Sequence, residues 1–161
     1  MKTDKMKKVL IAMDYDPTAQ KVAETGFSMA KAMNAEVVLL HVMSDPVYYF
    51  STENPALMGA AGYMDVTSQQ KHSVDGIKKT SQHFLEKSKH DLGDKTIQTL
   101  VEEGDIAEAI LKSAKETHAD IIVVGSHSKK WLENILMGSV TEKVLHNTII
   151  PLFIVPTKQK K

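Results

Sequence analysis

Five short apolar stretches recur along the chain, separated by segments whose apolar residues return every three or four positions. The stretches cover residues 8–14, 36–43, 95–102, 120–124 and 151–156. Nearly continuous apolar runs of this length are typical of strands buried on both faces of a parallel sheet. The third run is more polar and prolines bound the fifth, so we predict that both lie at sheet edges.

The segments between these strands predict four helices, starting near Asp16–Pro17, Thr67, Asp105 and Ser139 and ending near Met33, Leu92, Thr117 and His146. Asp16 with Pro17, and Asp105 with Glu108, are typical helix-start pairs. Alternating strands and helices predict an α/β fold with a doubly wound, five-stranded parallel sheet in the order 3-2-1-4-5. Ligands of such sheets bind at the carboxyl ends of neighbouring strands where the winding reverses. Those ends carry Asp14 and Gly125 here.

The 161 residues predict a single domain over 1–161, with an irregular insertion at about 44–65 and a basic tail at 157–161. The insertion carries three of the four tyrosines, Tyr48, Tyr49 and Tyr63. Two interpretations stay open for it. It is either a surface insertion whose aromatic side chains pack on themselves, or a cover over a ligand or a partner surface.

The numbers of basic and acidic residues limit the kinds of partner that the protein is expected to bind. Lys and Arg total 20, as do Asp and Glu, which argues against a nucleic-acid binder. The sequence has no cysteine, so disulfides and thiolate chemistry are excluded. No apolar run approaches the roughly 20 residues that span a bilayer. We therefore expect a cytoplasmic protein without a membrane partner.

One stretch carries candidate chemistry, the pattern Gly125-x2-Ser128-x9-Gly138-Ser139-Val140. It runs from the end of a buried strand, through a loop, into a helix, and such a junction presents backbone N–H groups to an anion. His127, Lys129 and Lys130 are secondary candidates within the loop. The other interpretation is structural, because Ser139 and Glu142 form a capping box. No catalytic or metal-ligating set is predicted.

This pattern resembles the nucleotide loop of the universal stress protein family, Gly-x2-Gly-x9-Gly-Ser/Thr, with Ser128 in place of the second glycine. The resemblance extends over nearly the whole chain, through residues 8–14, 39–42, 104–105, 120–126 and 151–156. It implies the adenine nucleotide alpha-hydrolase-like fold. It also implies ATP, with Mg²⁺, as the ligand.

The resemblance assigns a role to each matching residue. Adenine would lie near Ala12 and against the backbone of Val42, with Asp14 at the nucleoside end. The loop from Gly125 through Ser128 would surround the phosphates. Backbone N–H or hydroxyl groups of three further residues would bind them, namely Gly138, Ser139 and Val140.

Three functions follow as expectations. The first is a stress-response regulator that binds ATP or another adenine nucleotide. The alternative is a dimeric protein-interaction module of the same fold that binds no nucleotide, and the third is a slow ATPase. The resemblance further implies a homodimer formed through the edge strand Pro151–Val155, with protein partners unknown.

Overall fold

The computed structural model describes residues 6–15, 17–43, 70–126 and 139–157, and for 70–74 the backbone only. Nine helices and strands lie within these ranges. In chain order they are β1 (Lys8–Ala12), α1 (Ala19–Ala32), β2 (Glu36–Met43), α2 (Gln70–Leu92), β3 (Gln98–Glu103), α3 (Ile106–Glu116), β4 (Ile121–Gly125), α4 (Ser139–Asn147) and β5 (Leu152–Val155). The insertion at 44–65, the predicted start of α2 at Thr67 and the tail beyond Thr157 lie outside the described residues.

All five strands pair in parallel in the order β3-β2-β1-β4-β5, which confirms the predicted topology. β1 lies at the centre, with Ile11 opposite Leu39 of β2 on one side and Val123 of β4 on the other. β3 and β5 are the edge strands, as their polar and proline-bounded sequences predict. The chain reverses its winding between β1 and β4, where their carboxyl ends meet.

Successive residues of β2 enter two different cores, one on each face of the sheet. Leu39 packs with α1 and α2, whereas Leu40 packs with α3 and α4, and neither side chain is exposed to solvent. Neighbouring side chains of a strand point to opposite faces, so burial of both requires helices on both sides. This two-sided burial explains why the central strands are apolar without alternation.

The start of α1 differs from its prediction. The Asp16–Pro17 pattern predicts a helix from these residues, but α1 begins at Ala19 after a turn at Pro17 and Thr18. The first helical hydrogen bond runs from the Val22 N–H to the Thr18 carbonyl oxygen, at 3.2 Å. The physical reason is that an Asp–Pro pair also favours turns, and here the turn precedes the helix.

The start of α3 agrees with its prediction. Asp105 is extended (φ −63°, ψ 127°), and its Oδ1 accepts a hydrogen bond of 3.0 Å from the Glu108 N–H. Gly104 precedes it with φ +118°, a conformation that side-chain-bearing residues rarely adopt. The Gly104 N–H donates to the Met43 carbonyl oxygen at the end of β2. Helix α3 therefore starts at the end of the sheet that carries the carboxyl ends of the strands, where Asp14 also lies.

Within the described ranges, no helix combines the length and the apolar character needed to cross a membrane.

Candidate functional site

The carboxyl ends of β1 and β4 define the centre of the candidate site. Ala12 is the last residue of β1, and the Met13 N–H continues the pairing with β2 by donating to the Leu40 carbonyl oxygen at 2.8 Å. Asp14 follows and is exposed. Gly125 ends the neighbouring strand, β4. The topology therefore brings Asp14 and Gly125 to one edge of the sheet, as predicted.

Three predicted contact residues share one apolar surface on the α3/α4 side of the sheet. Val42 belongs to the core cluster on that side and is 5% exposed. Ala12 and Val140 are partly buried and pack against the same cluster. The end of β1, the neighbouring strand β2 and the first turn of α4 thus contribute residues to one apolar cluster, which we call the apolar wall and which suits the face of a flat, uncharged ring.

Helix α4 opens at this edge with Ser139, which is exposed, followed by Val140. The first N–H groups of a helix have no acceptor within it and carry a partial positive charge. They suit an anionic group. The remaining predicted residues of the loop, Ser128 and Gly138 with the secondary candidates His127, Lys129 and Lys130, lie outside the described residues.

Gly125 lies in a closely packed environment, which the sequence does not reveal. A Cβ added there would lie 3.0 Å from the Val22 Cγ2 atom and 3.1 Å from the Thr157 Cγ2 atom. A larger residue would therefore require these two side chains to shift by a few tenths of an ångström. The end of β4 is therefore enclosed by α1 on one side and by the chain after β5 on the other.

Hydrogen bonds from two further segments hold the same strand end. The Thr141 Oγ1 donates to the Gly125 carbonyl oxygen at 2.8 Å, which ties the first turn of α4 to β4. The Ser126 N–H donates to the Val155 carbonyl oxygen at 2.9 Å, and the Thr157 N–H donates to the Ser126 Oγ at 3.1 Å. Sequence reasoning missed these contacts. The available signal was a polar residue, Thr141, three positions before the core residue Val144 and so on the buried face of α4.

An aromatic cluster supports the residues that follow β1. The His41 Nδ1–H donates to the Met13 carbonyl oxygen at 2.8 Å. The Tyr15 ring lies 4.3 Å from the His41 ring and 4.8 Å from that of Phe84, between ring centres. The Tyr15 hydroxyl is 2.7 Å from the Ser81 Oγ, on α2. Both neighbours of Asp14 are therefore held in place, Met13 by a hydrogen bond from β2 and Tyr15 by contacts with β2 and α2.

Charged side chains connect the start of α3 with α4. The Lys143 Nζ lies 3.0 Å from the Asp105 Oδ1 and 3.8 Å from the Glu108 Oε1. The hydrogen bond from the Glu108 N–H, followed by that from Lys143, holds the pKa of Asp105 below its usual value. Asp105 is therefore a carboxylate at neutral pH, and its negative charge is stabilised by the N-terminus of α3 and by Lys143.

Within the part of the chain that the structure describes, no three histidine or carboxylate side chains come together as a metal site.

The five-stranded parallel sheet in the order β3-β2-β1-β4-β5 has helices on both faces, and its likeness to solved structures gives the chain the adenine nucleotide alpha-hydrolase-like fold. The chain belongs to the universal stress protein family, whose model matches residues 5–156. It is 31% identical over 157 residues to universal stress protein MJ0577 of Methanocaldococcus jannaschii, covering 94% of this chain and 96% of that protein.

Solved structures have the same architecture. That of protein MJ0577 has a TM-score of 0.69 and 28% sequence identity, covering 97% of this chain and 99% of the other. A universal stress protein in complex with cAMP has a TM-score of 0.64 at 19% identity, covering 96% of this chain and 100% of the other. The Archaeoglobus fulgidus universal stress protein in complex with dAMP has a TM-score of 0.55 at 17% identity, with 92% and 96% covered.

Proposed function

We propose that this protein binds an adenine nucleotide, ATP in particular, at the carboxyl ends of β1 and β4 and acts as a nucleotide-responsive regulator of a stress response. The observation that carries the proposal is the shared apolar surface of Ala12, Val42 and Val140, which lies beside the first turn of α4. The apolar surface suits an adenine base, and the N-terminus of α4 suits a phosphate group. Both lie at the end of the sheet that carries the carboxyl ends of the strands.

The proposed pose gives each end of the nucleotide a matching environment. The base packs against Ala12 and the backbone of Val42, and the exposed carboxylate of Asp14 accepts hydrogen bonds from the ribose hydroxyls or from the base edge. The phosphates lie at the N–H groups of Ser139 and Val140. The helix dipole contributes about 0.3–1 kcal/mol there, and about 2 kcal/mol where the anion is partly buried.

Relatives of the same fold support an adenine ligand, since one universal stress protein is in complex with cAMP and another with dAMP. Both ligands carry adenine and a single phosphate group. We propose that this chain shares the base site and that a longer phosphate chain extends along the loop after Gly125, where Mg²⁺ would accompany it.

The test has two steps. The purified protein is denatured and the released small molecules are analysed for nucleotide. The nucleotide-free protein is then titrated calorimetrically with ATP, AMP and cAMP, with and without Mg²⁺. We expect ATP to bind at micromolar to sub-millimolar concentration and Mg²⁺ to strengthen its binding. Absence of binding at millimolar ATP would leave the protein-interaction module as the better function.

We also propose a homodimer that forms through β5. This edge strand presents Phe153, which is 39% exposed, and follows Ile149, which is 94% exposed. Exposed apolar side chains beside an edge strand favour pairing with a second copy of the same strand.

A Phe153→Glu substitution tests the dimer. It places a charge on that surface, so we expect sedimentation velocity to show a monomer where the original protein is a dimer. Met6→Glu is the matched control, since Met6 is 40% exposed and lies before β1, and it should leave the dimer intact. A monomeric original protein, or a Phe153→Glu dimer of unchanged affinity, contradicts this proposal.

A further inference from the structure

Hydrogen bonds from three parts of the chain hold the junction between β4 and the following loop. The Thr141 hydroxyl donates to the Gly125 carbonyl oxygen, the Ser126 N–H donates to the Val155 carbonyl oxygen, and the Thr157 N–H donates to the Ser126 Oγ. Thr141 and Thr157, which flank the junction, are only 3% and 2% exposed. The Thr141 hydroxyl is therefore largely shielded from water, and its removal would cost the Gly125 carbonyl oxygen a hydrogen bond.

The Thr141 bond has a property that the other two lack. It joins the residue that precedes the loop, Gly125, to the first turn of the helix that follows the loop. This hydroxyl group thereby joins the first turn of α4 directly to the end of β4, in addition to the core packing of Val144 and the contact of Lys143 with Asp105 that hold the rest of the helix. The other two bonds, made by the Ser126 N–H and to the Ser126 Oγ, connect the same strand end to β5 and the residues after it and do not reach α4.

The hydrogen bond between Thr141 and Gly125 constrains the part of the proposed site that binds the phosphate groups. Thr141 lies two residues after Ser139 and one after Val140, whose N–H groups open α4. Rotation or translation of this first turn relative to Gly125 would move those N–H groups away from the phosphates. The residues that contact the base in the proposed pose, Ala12 and the backbone of Val42, would move less, because they belong to strands that are paired independently of Thr141.

We propose that Thr141 is a positioning residue that aligns the start of α4 with Gly125 and thereby sets the affinity for the phosphate groups of the nucleotide. This inference rests on the proposed nucleotide-binding function. Thr141 acts through the backbone of Gly125 and need not contact the ligand. It therefore contributes to binding of ATP and not to binding of adenosine, which has the same base and ribose but no phosphate.

The experiment compares Thr141→Val with Thr141→Ser. Valine has the shape of threonine without the hydroxyl, whereas serine keeps the hydroxyl and loses only the methyl group. Each protein is titrated with ATP and with adenosine well below its unfolding midpoint. We expect Thr141→Val to bind ATP about three- to tenfold more weakly, the usual worth of one buried hydrogen bond, and adenosine as the original protein does. Thr141→Ser should bind both ligands within about twofold of the original protein.

The outcomes separate this inference from the function on which it rests. If Thr141→Val loses affinity equally for ATP and adenosine, the hydroxyl merely stabilises the fold and the inference is wrong. The inference is also wrong if ATP affinity is unchanged, or if serine fails to restore it. If the original protein binds neither ligand at millimolar concentration, the proposed function fails and the inference fails with it.

Discussion

An Ala12→Leu variant is expected to bind ATP about ten- to a hundredfold more weakly than the original protein. Ala12 ends β1 in a partly buried position, against the cluster that contains Val42. Leucine adds three carbon atoms where the proposed pose places the base. Insertion of such volume into a close-packed site costs about 1–3 kcal/mol, and the stated loss of affinity corresponds to about 1.4–2.7 kcal/mol, within that range. Calorimetric titration with ATP measures the change.

Ala35→Leu is the matched control. Ala35 is also partly buried and also adjoins a strand, but it precedes β2 at the opposite edge of the sheet. The same chemical change there should leave ATP affinity within about twofold. Circular dichroism and a thermal melt show whether each variant is folded. A folded Ala12→Leu protein with undiminished affinity would place the base elsewhere and contradict the proposed pose.

The sheet order could be predicted because its physical cause is visible in the sequence. Central strands buried on both faces are almost continuously apolar, and the two edge strands are more polar or bounded by proline. A short sequence pattern predicts the local structure less well when it is compatible with two different structures. Asp16–Pro17 is compatible both with a helix start and with a turn, and in the structure a turn at Pro17 and Thr18 precedes α1.

The candidate site could be predicted at the level of strand ends but not at that of contacts. Asp14 and Gly125 follow from the topology, and Ala12, Val42 and Val140 from the family resemblance. The bond between Thr141 and Gly125 joins residues sixteen positions apart and depends on where α4 begins relative to β4. No pattern in the sequence reports that distance.

Gly125 has a packing role in the structure beside the role that the family resemblance assigns to it. The family resemblance assigns it to the phosphate loop, where a glycine lets the backbone approach the ligand. In the structure, the direction in which a side chain would project is filled by Val22 and Thr157. Substitution at this position would therefore disturb the core as well as the site, so loss of binding in a Gly125 variant would not identify a phosphate contact. Thr141 is the better probe.

The two-sided core predicts a large effect on stability. Leu39→Ala and Leu40→Ala should each lower the free energy of unfolding by about 2–5 kcal/mol. Both side chains are fully buried, in different clusters on opposite faces of the sheet. Each substitution removes three carbon atoms and leaves a cavity that close-packed neighbours fill only in part. Such losses are a large share of the total stability of a typical domain.

The comparison between the two variants tests the architecture itself. Adjacent side chains of a strand point to opposite faces of the sheet. If one face were exposed to solvent, one of the two substitutions would lower the stability strongly and the other would hardly change it. A sheet covered by α1 and α2 on one face and by α3 and α4 on the other should make the two losses similar, within about 1 kcal/mol. Urea unfolding at one fixed protein concentration measures both, since a dimer's stability depends on concentration. A nearly neutral Leu40→Ala would mean that α3 and α4 do not cover their face in solution, and the apolar wall of Ala12, Val42 and Val140 would then lack its support.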